Sequence, residues 1–195
     1  MLFETQAVSA LLPELEECRA QFESIKAEAE DLTAGLNEAR FNWKPSPGEW
    51  SIQECFGHMN IVGANQVSKI EEAIELGRAK CWTGAGPFTY ARWEQWLVRF
   101  TEPPARRGFK SPRRFIPAPG HPVTAILPTF LHLQDQLIRC ATQAEGLDLA
   151  RVKAALPISN FLKMSLGMAF RQTAAHERRH LAQARRVRGS VKFPT

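Results

Sequence analysis

The sequence predicts an all-α protein that folds as a four-helix bundle. Four long segments carry apolar residues at steps of three and four, which is the spacing of one face of an α-helix. No segment shows a convincing alternation of apolar and polar residues, and the chain contains no internal repeat. Four amphipathic helices without strands are typical of a bundle, here with a long ordered loop between helices 2 and 3.

The composition is that of a globular protein, and we expect one domain spanning residues 1–195. The chain is 44% hydrophobic and 23% charged, which excludes collagen-like, low-complexity and wholly disordered proteins. No apolar run approaches the roughly 18 residues of a membrane span, and the start, Met1-Leu2-Phe3-Glu4, lacks the basic residues of a signal peptide. We therefore expect a cytoplasmic protein without a membrane partner.

The first helix is predicted from about Val8 to Glu38. Its apolar positions are Leu11, Leu12, Leu15, Phe22, Ile25, Ala29, Leu32 and Leu36. A loop follows over Phe41–Trp50, because two prolines and a glycine cannot continue the helix.

The second helix begins at a capping box formed by Ser51 and Glu54, and should end near Gly77. Its apolar stripe consists of Ile52, Cys55, Phe56, Met59, Val62, Ile70 and Ile74. His58 falls at the edge of this stripe.

Residues 78–120 form the long loop, which is rich in proline and glycine. Within this loop, the sequence predicts a short helix over residues 90–100. Trp93, Trp96 and Phe100 share one face of this helix and would pack on a core. The segment could equally form a lid.

The third helix is predicted from about Pro128 to Glu145, with Gly146 as its stop and Leu131, Leu137, Ile138 and Ala141 facing inward. A fourth helix should follow Pro157. Its inward residues recur at steps of three and four: Leu162, Leu166, Ala169, Thr173, His176, His180, Ala184 and Val187.

The sharpest chemical feature is His176-Glu177-Arg178-Arg179-His180. Two histidines four residues apart lie about 6 Å apart along one face of a helix, which suits two imidazoles on one metal ion. The string also matches the zinc-protease pattern, in which the glutamate is a general base and a third ligand is needed. The alternative is a pair of core histidines that hydrogen bonds or buried water satisfy.

A third ligand must come from upstream, because no Asp, Glu or His follows His180. This absence weakens the protease interpretation. Three histidines remain, and His58 is the best placed, since an antiparallel bundle could bring its helix against the fourth. His121 lies in a Gly-His-Pro turn, and His132 is expected on the surface of the third helix.

Several separated blocks together resemble the DinB-like superfamily, also called the DinB and YfiT-like metalloenzymes, over roughly residues 10–190. They are Asn42-Trp43, Pro47-Gly48-Glu49-Trp50-Ser51, His58, Phe109-Lys110-Ser111-Pro112-Arg113-Arg114-Phe115, Gly146-Leu147-Asp148-Leu149 and the final His-Glu-Arg-Arg-His-Leu-Ala-Gln-Ala-Arg-Arg-Val. The resemblance implies an up-down-down-up bundle and a divalent metal ion, usually nickel or zinc. Its ligands would be His58, His176 and His180.

The resemblance extends to thiol S-transferases that use bacillithiol and to the mycothiol-dependent maleylpyruvate isomerase. It therefore implies a bacterial-type, metal-dependent enzyme, a thiol S-transferase or hydrolase with an open three-His site and a low-molecular-weight thiol as cofactor. The competing expectation is a stress-linked metal-binding or scaffold protein without catalysis, as a homodimer. Which reaction, metal and substrate apply does not follow from the sequence.

Three residues near the histidines have weaker expected roles. Glu177 holds the position of the protease base, but on the helix it lies about 60° to 100° from the histidines, so it is a weak candidate. Gln183 either holds a histidine ring or is a surface residue. Trp50 is expected to pack at the entry to the second helix, without a chemical role.

The charge and the cysteines carry less information. The net charge is +5, and a basic loop, Arg106–Arg114, is expected to edge the metal pocket and receive a small anionic substrate, or else to be solvated surface. We do not expect nucleic acid as a partner, because no nucleic-acid motif accompanies the charge. The four cysteines are scattered, and the three that fall in predicted helices are expected to be free, buried thiols.

Overall fold

The computed structural model describes residues 11–104 and 111–194, and these residues are mostly helical. They form six α-helices: α1 (Pro13–Thr33), α2 (Glu38–Asn42), α3 (Ile52–Ala79), α4 (Arg92–Thr101), α5 (Val123–Gln143) and α6 (Leu166–Arg188). A short 3₁₀ helix spans Arg113–Phe115, and two strands, β1 (Lys153–Leu156) and β2 (Ser159–Ser165), form an antiparallel hairpin. Within the described ranges, no helix is long and apolar enough to cross a membrane.

The four long helices surround one apolar core. α1 packs against α5 and α6, and α3 packs against the same two helices. Phenylalanines fill the centre: Phe22 of α1 meets Phe170 of α6 edge to face, and Phe56 of α3 meets Phe130 of α5 in the same way. All four rings are fully buried.

Polar contacts give the relative direction of the helices. Three arginines spaced seven residues apart on α6 contact three polar residues spaced seven apart on α1: Arg171 with Glu14, Arg178 with Gln21, and Arg185 with Glu28. Each step toward the C-terminus of α6 is matched by a step toward the C-terminus of α1. The two helices therefore run parallel.

α3 and α5 also run the same way, because Asn60 and Arg78 of α3 donate to the carbonyls of Ile126 and Gln143 of α5. α3 runs against α6, since Trp50, just before α3, lies beside His180, whereas His58, further along, lies beside His176.

The first predicted helix is shorter than expected, and residues 8–10 lie outside the described part. α1 ends at Thr33 because Gly35 adopts a φ of +69°, a left-handed conformation that the helix cannot continue through. The chain then re-enters a helix at Asn37, whose side chain accepts the backbone N–H of Arg40 and caps α2.

The expectation of a chain without strands is wrong at residues 153–165. The fourth helix begins at Leu166 and not directly after Pro157, because β1 and β2 form a hairpin at this point. β1 buries alternate residues and packs against α3, which lies close enough for Val152 to contact Gly77. A segment this short carries too weak an alternation to separate it from a helix start.

One further helix boundary, the start of α5, differs from the sequence prediction. α5 begins at Val123, ahead of the predicted start at Pro128, and it includes the exposed Pro128 within its second turn. The end of the helix agrees with the prediction of a stop at Gly146, which has a φ of +78°. The capping box of Ser51 and Glu54 is confirmed at the start of α3.

The short helix α4 is confirmed, but its packing face is not the predicted one. Trp93, Trp96 and Phe100 remain 45%, 62% and 37% exposed. Glu94 is buried instead, because its carboxylate accepts hydrogen bonds from the backbone N–H and the hydroxyl of Ser165. This contact turns the aromatic face of α4 toward solvent.

Candidate metal centre

Three histidines from two helices converge at the interface of α3 and α6. His58 comes from the second turn of α3, and His176 and His180 come from successive turns of α6. Each offers one ring nitrogen, and these three nitrogens all lie within 4.8 Å of one another. His58 and His180 are buried, and His176 is half-buried. The three residues could therefore bind a metal ion.

Hydrogen bonds fix the orientation of two of the rings. His58 Nδ1 lies 2.8 Å from the backbone oxygen of Phe115, and since a carbonyl only accepts, Nδ1 carries the proton. His180 Nδ1 lies 3.2 Å from Gln183 Oε1 and donates in the same way. In a neutral imidazole the other nitrogen, Nε2, then has a free lone pair, which is the form a metal ion needs.

The electrostatics keep all three rings neutral. Burial lowers the pKa of His58, and burial together with His58 and Arg179 lowers the pKa of His176 to about 3. The pKa of His180 lies well below its ordinary value, because it is buried and next to His176. Neutral imidazoles are ready to coordinate a metal ion without first losing a proton.

The donor arrangement fits a divalent cation. Nε2 of His58 and Nε2 of His176 face each other at 3.2 Å, and the three ring centroids are 4.6 to 5.2 Å apart. At this spacing the lone pairs compete for one proton or share one cation. Three imidazoles also leave at least one position of a tetrahedral ion open for another ligand.

Trp50 packs at the entry to α3, as the sequence predicts, and there it forms one wall of this site. Its ring centroid lies 5.0 Å from that of His58, and it stacks on His180 at 5.8 Å with an interplanar angle of 23°. The sequence did carry a signal, because an apolar residue just before a helix cap often folds back over the first turns.

The two weaker candidates on α6 have different outcomes. The predicted contact of Gln183 with a histidine ring is confirmed. Glu177 faces the bundle interior, where its Oε1 accepts from Gln134 Nε2 of α5 at 3.0 Å. Burial raises the pKa of Glu177 to about 8. This carboxyl is committed to a contact with α5, which does not suit the general base of the protease pattern.

The remaining histidines and cysteines do not join the cluster. His121 and His132 are exposed, and within the described residues the one group with metal-ligand spacing is that of His58, His176 and His180. Cys18, Cys55 and Cys140 are free and buried as expected, whereas Cys81 is exposed.

Of the predicted basic loop, the structure describes residues 111–114, which directly precede a residue that contacts the site. Arg106, Arg107 and Lys110 lie outside the described residues. Arg113 and Arg114 are exposed, and the Arg114 guanidinium donates to the carbonyls of Pro157 and Ile158 in the hairpin turn. The next residue, Phe115, is buried and supplies the carbonyl that holds His58.

The chain was also compared with known proteins. The family model of the DinB superfamily matches residues 21–184, which is most of the chain and includes all three histidines. Neither the curated proteins nor the solved structures gave a significant match. The extent of the family match establishes that the chain belongs to the DinB superfamily.

Proposed function

We propose that the protein is a divalent-metal-dependent enzyme in which His58, His176 and His180 hold the metal ion. The observation that carries the proposal is the convergence of their three ring nitrogens within 4.8 Å. Two of the rings are already oriented by Phe115 and Gln183, so little reorganisation is needed on binding.

The proposed framework is a single domain over residues 1–195 with the up-down-down-up topology of the family. The contacts that support this topology are those between α1 and α6, between α3 and α5, and between α3 and α6. In this arrangement the two parallel pairs pack against each other in opposite directions.

The metal is proposed to be nickel or zinc, because neutral imidazole nitrogens suit late first-row divalent ions. When bound, such an ion would lower the pKa of a thiol or a water molecule in its open position. The chain orients the three imidazoles through Phe115 and Gln183 and shields one side with Trp50. These features fit a thiol S-transferase or a hydrolase, with a low-molecular-weight, bacillithiol-like thiol as cofactor and a small anionic substrate.

A second function rests on the burial of the histidines. His58 and His180 are only 5% and 9% exposed, which is also typical of a structural metal site. In that case the protein would be a stress-linked metal-binding or scaffold protein, acting as a homodimer.

Turnover of a thiol with an electrophile separates the two functions. Protein reconstituted with zinc or nickel should transfer the thiol to the electrophile, whereas the His176→Ala variant should lose this activity and His132→Ala, altered at an exposed histidine, should keep it. A metal-loaded wild type that is inactive with thiols and as a hydrolase would favour the structural function.

A further inference from the structure

Asn42, which opens the Asn42-Trp43 block, ties the end of α2 to the chain just before α5. Its Nδ2 donates to the carbonyl of Glu38 at 3.0 Å and to that of His121 at 3.1 Å, and its Oδ1 accepts the backbone N–H of Gly120 at 3.0 Å. The carboxamide therefore uses both of its N–H groups and its oxygen. One of these bonds fixes the side chain on α2, and the other two hold Gly120 and His121.

The two residues that Asn42 holds end a segment, residues 115–121, that leads to the proposed metal centre. Within this segment, the carbonyl of Ala118 accepts a hydrogen bond from Gln53 of α3 at 3.1 Å. At the other end of the segment, the carbonyl of Phe115 accepts from His58 Nδ1 at 2.8 Å. The same stretch of backbone thus carries the contact that selects the tautomer of His58 and the contact with α2.

This segment is stiff except at Gly120. Pro117 and Pro119 have fixed φ angles, and each proline ring also restricts the residue before it, so residues 116–119 are all constrained. Gly120 has a φ of +86°, a conformation that glycine adopts without steric cost, and it is the joint about which the segment could turn. Asn42 bonds to the N–H of this glycine and to the carbonyl of the next residue. A displacement at the joint would therefore carry the Phe115 carbonyl with it.

We infer that Asn42 is a positioning residue for the metal centre, which it reaches only through backbone groups. By fixing Gly120 and His121, it holds the 115–121 segment where the Phe115 carbonyl keeps the proton of His58 on Nδ1. The inference rests on the proposed function, in which Nε2 of His58 is a metal ligand, and it adds α2 to the elements that prepare this ligand.

The test compares Asn42→Ala with Asn37→Ala in metal-free protein. Asn37 caps α2 by accepting the N–H of Arg40, whereas the hydrogen bonds to the 115–121 segment belong to Asn42. Long-range proton–nitrogen correlation NMR distinguishes the protonated ring nitrogen from the other one, and loss of signals in His58→Ala assigns those of His58.

The wild type and Asn37→Ala should show His58 protonated at Nδ1, and Asn42→Ala should show a mixture of both tautomers. A single Nδ1 tautomer in Asn42→Ala, or the same mixture in Asn37→Ala, would overturn the inference.

Zinc affinity gives a second readout and separates this inference from the proposed function. In competition with a chromophoric chelator, Asn42→Ala should bind zinc about fivefold more weakly than the wild type, because groups that orient ligating histidines set the metal affinity. Asn37→Ala should match the wild type in zinc affinity although urea unfolds it more readily, since it has lost a helix cap. An unchanged zinc affinity in Asn42→Ala would overturn the inference as well. A wild type that binds no zinc would contradict the proposed function, while the tautomers of the metal-free protein would still test the role of Asn42.

Discussion

At the scale of single residues, the site depends on groups that hold the histidine rings. Gln183 is the clearest, because its amide oxygen is the acceptor for His180 Nδ1. Without it, the ring could exchange its tautomer and turn its protonated nitrogen toward the metal position.

We therefore expect Gln183→Leu to weaken metal affinity by about tenfold, whereas Gln183→Glu, which keeps an acceptor, should retain it. Competition with a chromophoric chelator measures both affinities, and circular dichroism checks the fold. Equal affinities of Gln183→Leu and the wild type would show that the contact has no role in ligation.

Glu177 gives a prediction about stability. Because burial raises its pKa to about 8, the folded protein holds a proton that the unfolded chain releases, so the free energy of unfolding falls as the pH rises from its ordinary pKa to about 8. Glu177→Gln removes this titration and keeps the acceptor for Gln134.

We expect metal-free Glu177→Gln to be more stable than the wild type by about 1–3 kcal/mol at about pH 8, with the difference vanishing near about pH 4. Urea unfolding at several pH values measures it. A variant that is less stable at all pH values would mean that the carboxylate is charged and needed in the core.

At the scale of elements, the site depends on how the segment around Phe115 lies on α3. Gly57 permits this approach, since a Cβ atom there would lie 2.8 Å from Cβ of Pro117. Gln53 adds a hydrogen bond to the carbonyl of Ala118. Together they place the Phe115 carbonyl against His58.

Gly57→Ala should push this segment away from α3 and lower metal affinity by about tenfold, although alanine itself favours the helix. Gly48→Ala is the matched control, because nothing lies within 4 Å of its Cβ position. The chelator competition assay reports both variants. Unchanged affinity in Gly57→Ala would mean that the Phe115 carbonyl does not position His58.

The elements also show what the sequence could predict. The long helices and the cap at Ser51 follow from apolar spacing and local hydrogen bonds, which act within a few residues. The orientation of α4, which exposes its aromatic face, and the hairpin depend on contacts between residues far apart in the sequence, such as Glu94 with Ser165. The periodicity of apolar residues carries no information about such contacts. The three proposed metal ligands could be predicted from the His-Glu-Arg-Arg-His motif and from the family resemblance. The stacking of Trp50 on His180 could not, because it depends on how α3 packs on α6.

At the scale of the whole molecule, the site exists only because α3 and α6 pack together. His58 and His176 are separated by 118 residues, yet their Nε2 atoms lie 3.2 Å apart. The polar contacts of α6 with α1 also help to hold α6 in place against α3. A metal ion shared by these histidines would therefore depend on the packing of the whole bundle.

Elemental analysis tests whether α3 and α6 share a metal ion, using the wild type and His58→Ala, His176→Ala and His132→Ala, each purified without chelator or affinity-resin metal. We expect metal in the wild type and in His132→Ala, and depletion in the other two variants with their helicity intact by circular dichroism. Retention of metal by His58→Ala with unchanged affinity would contradict a site shared between α3 and α6.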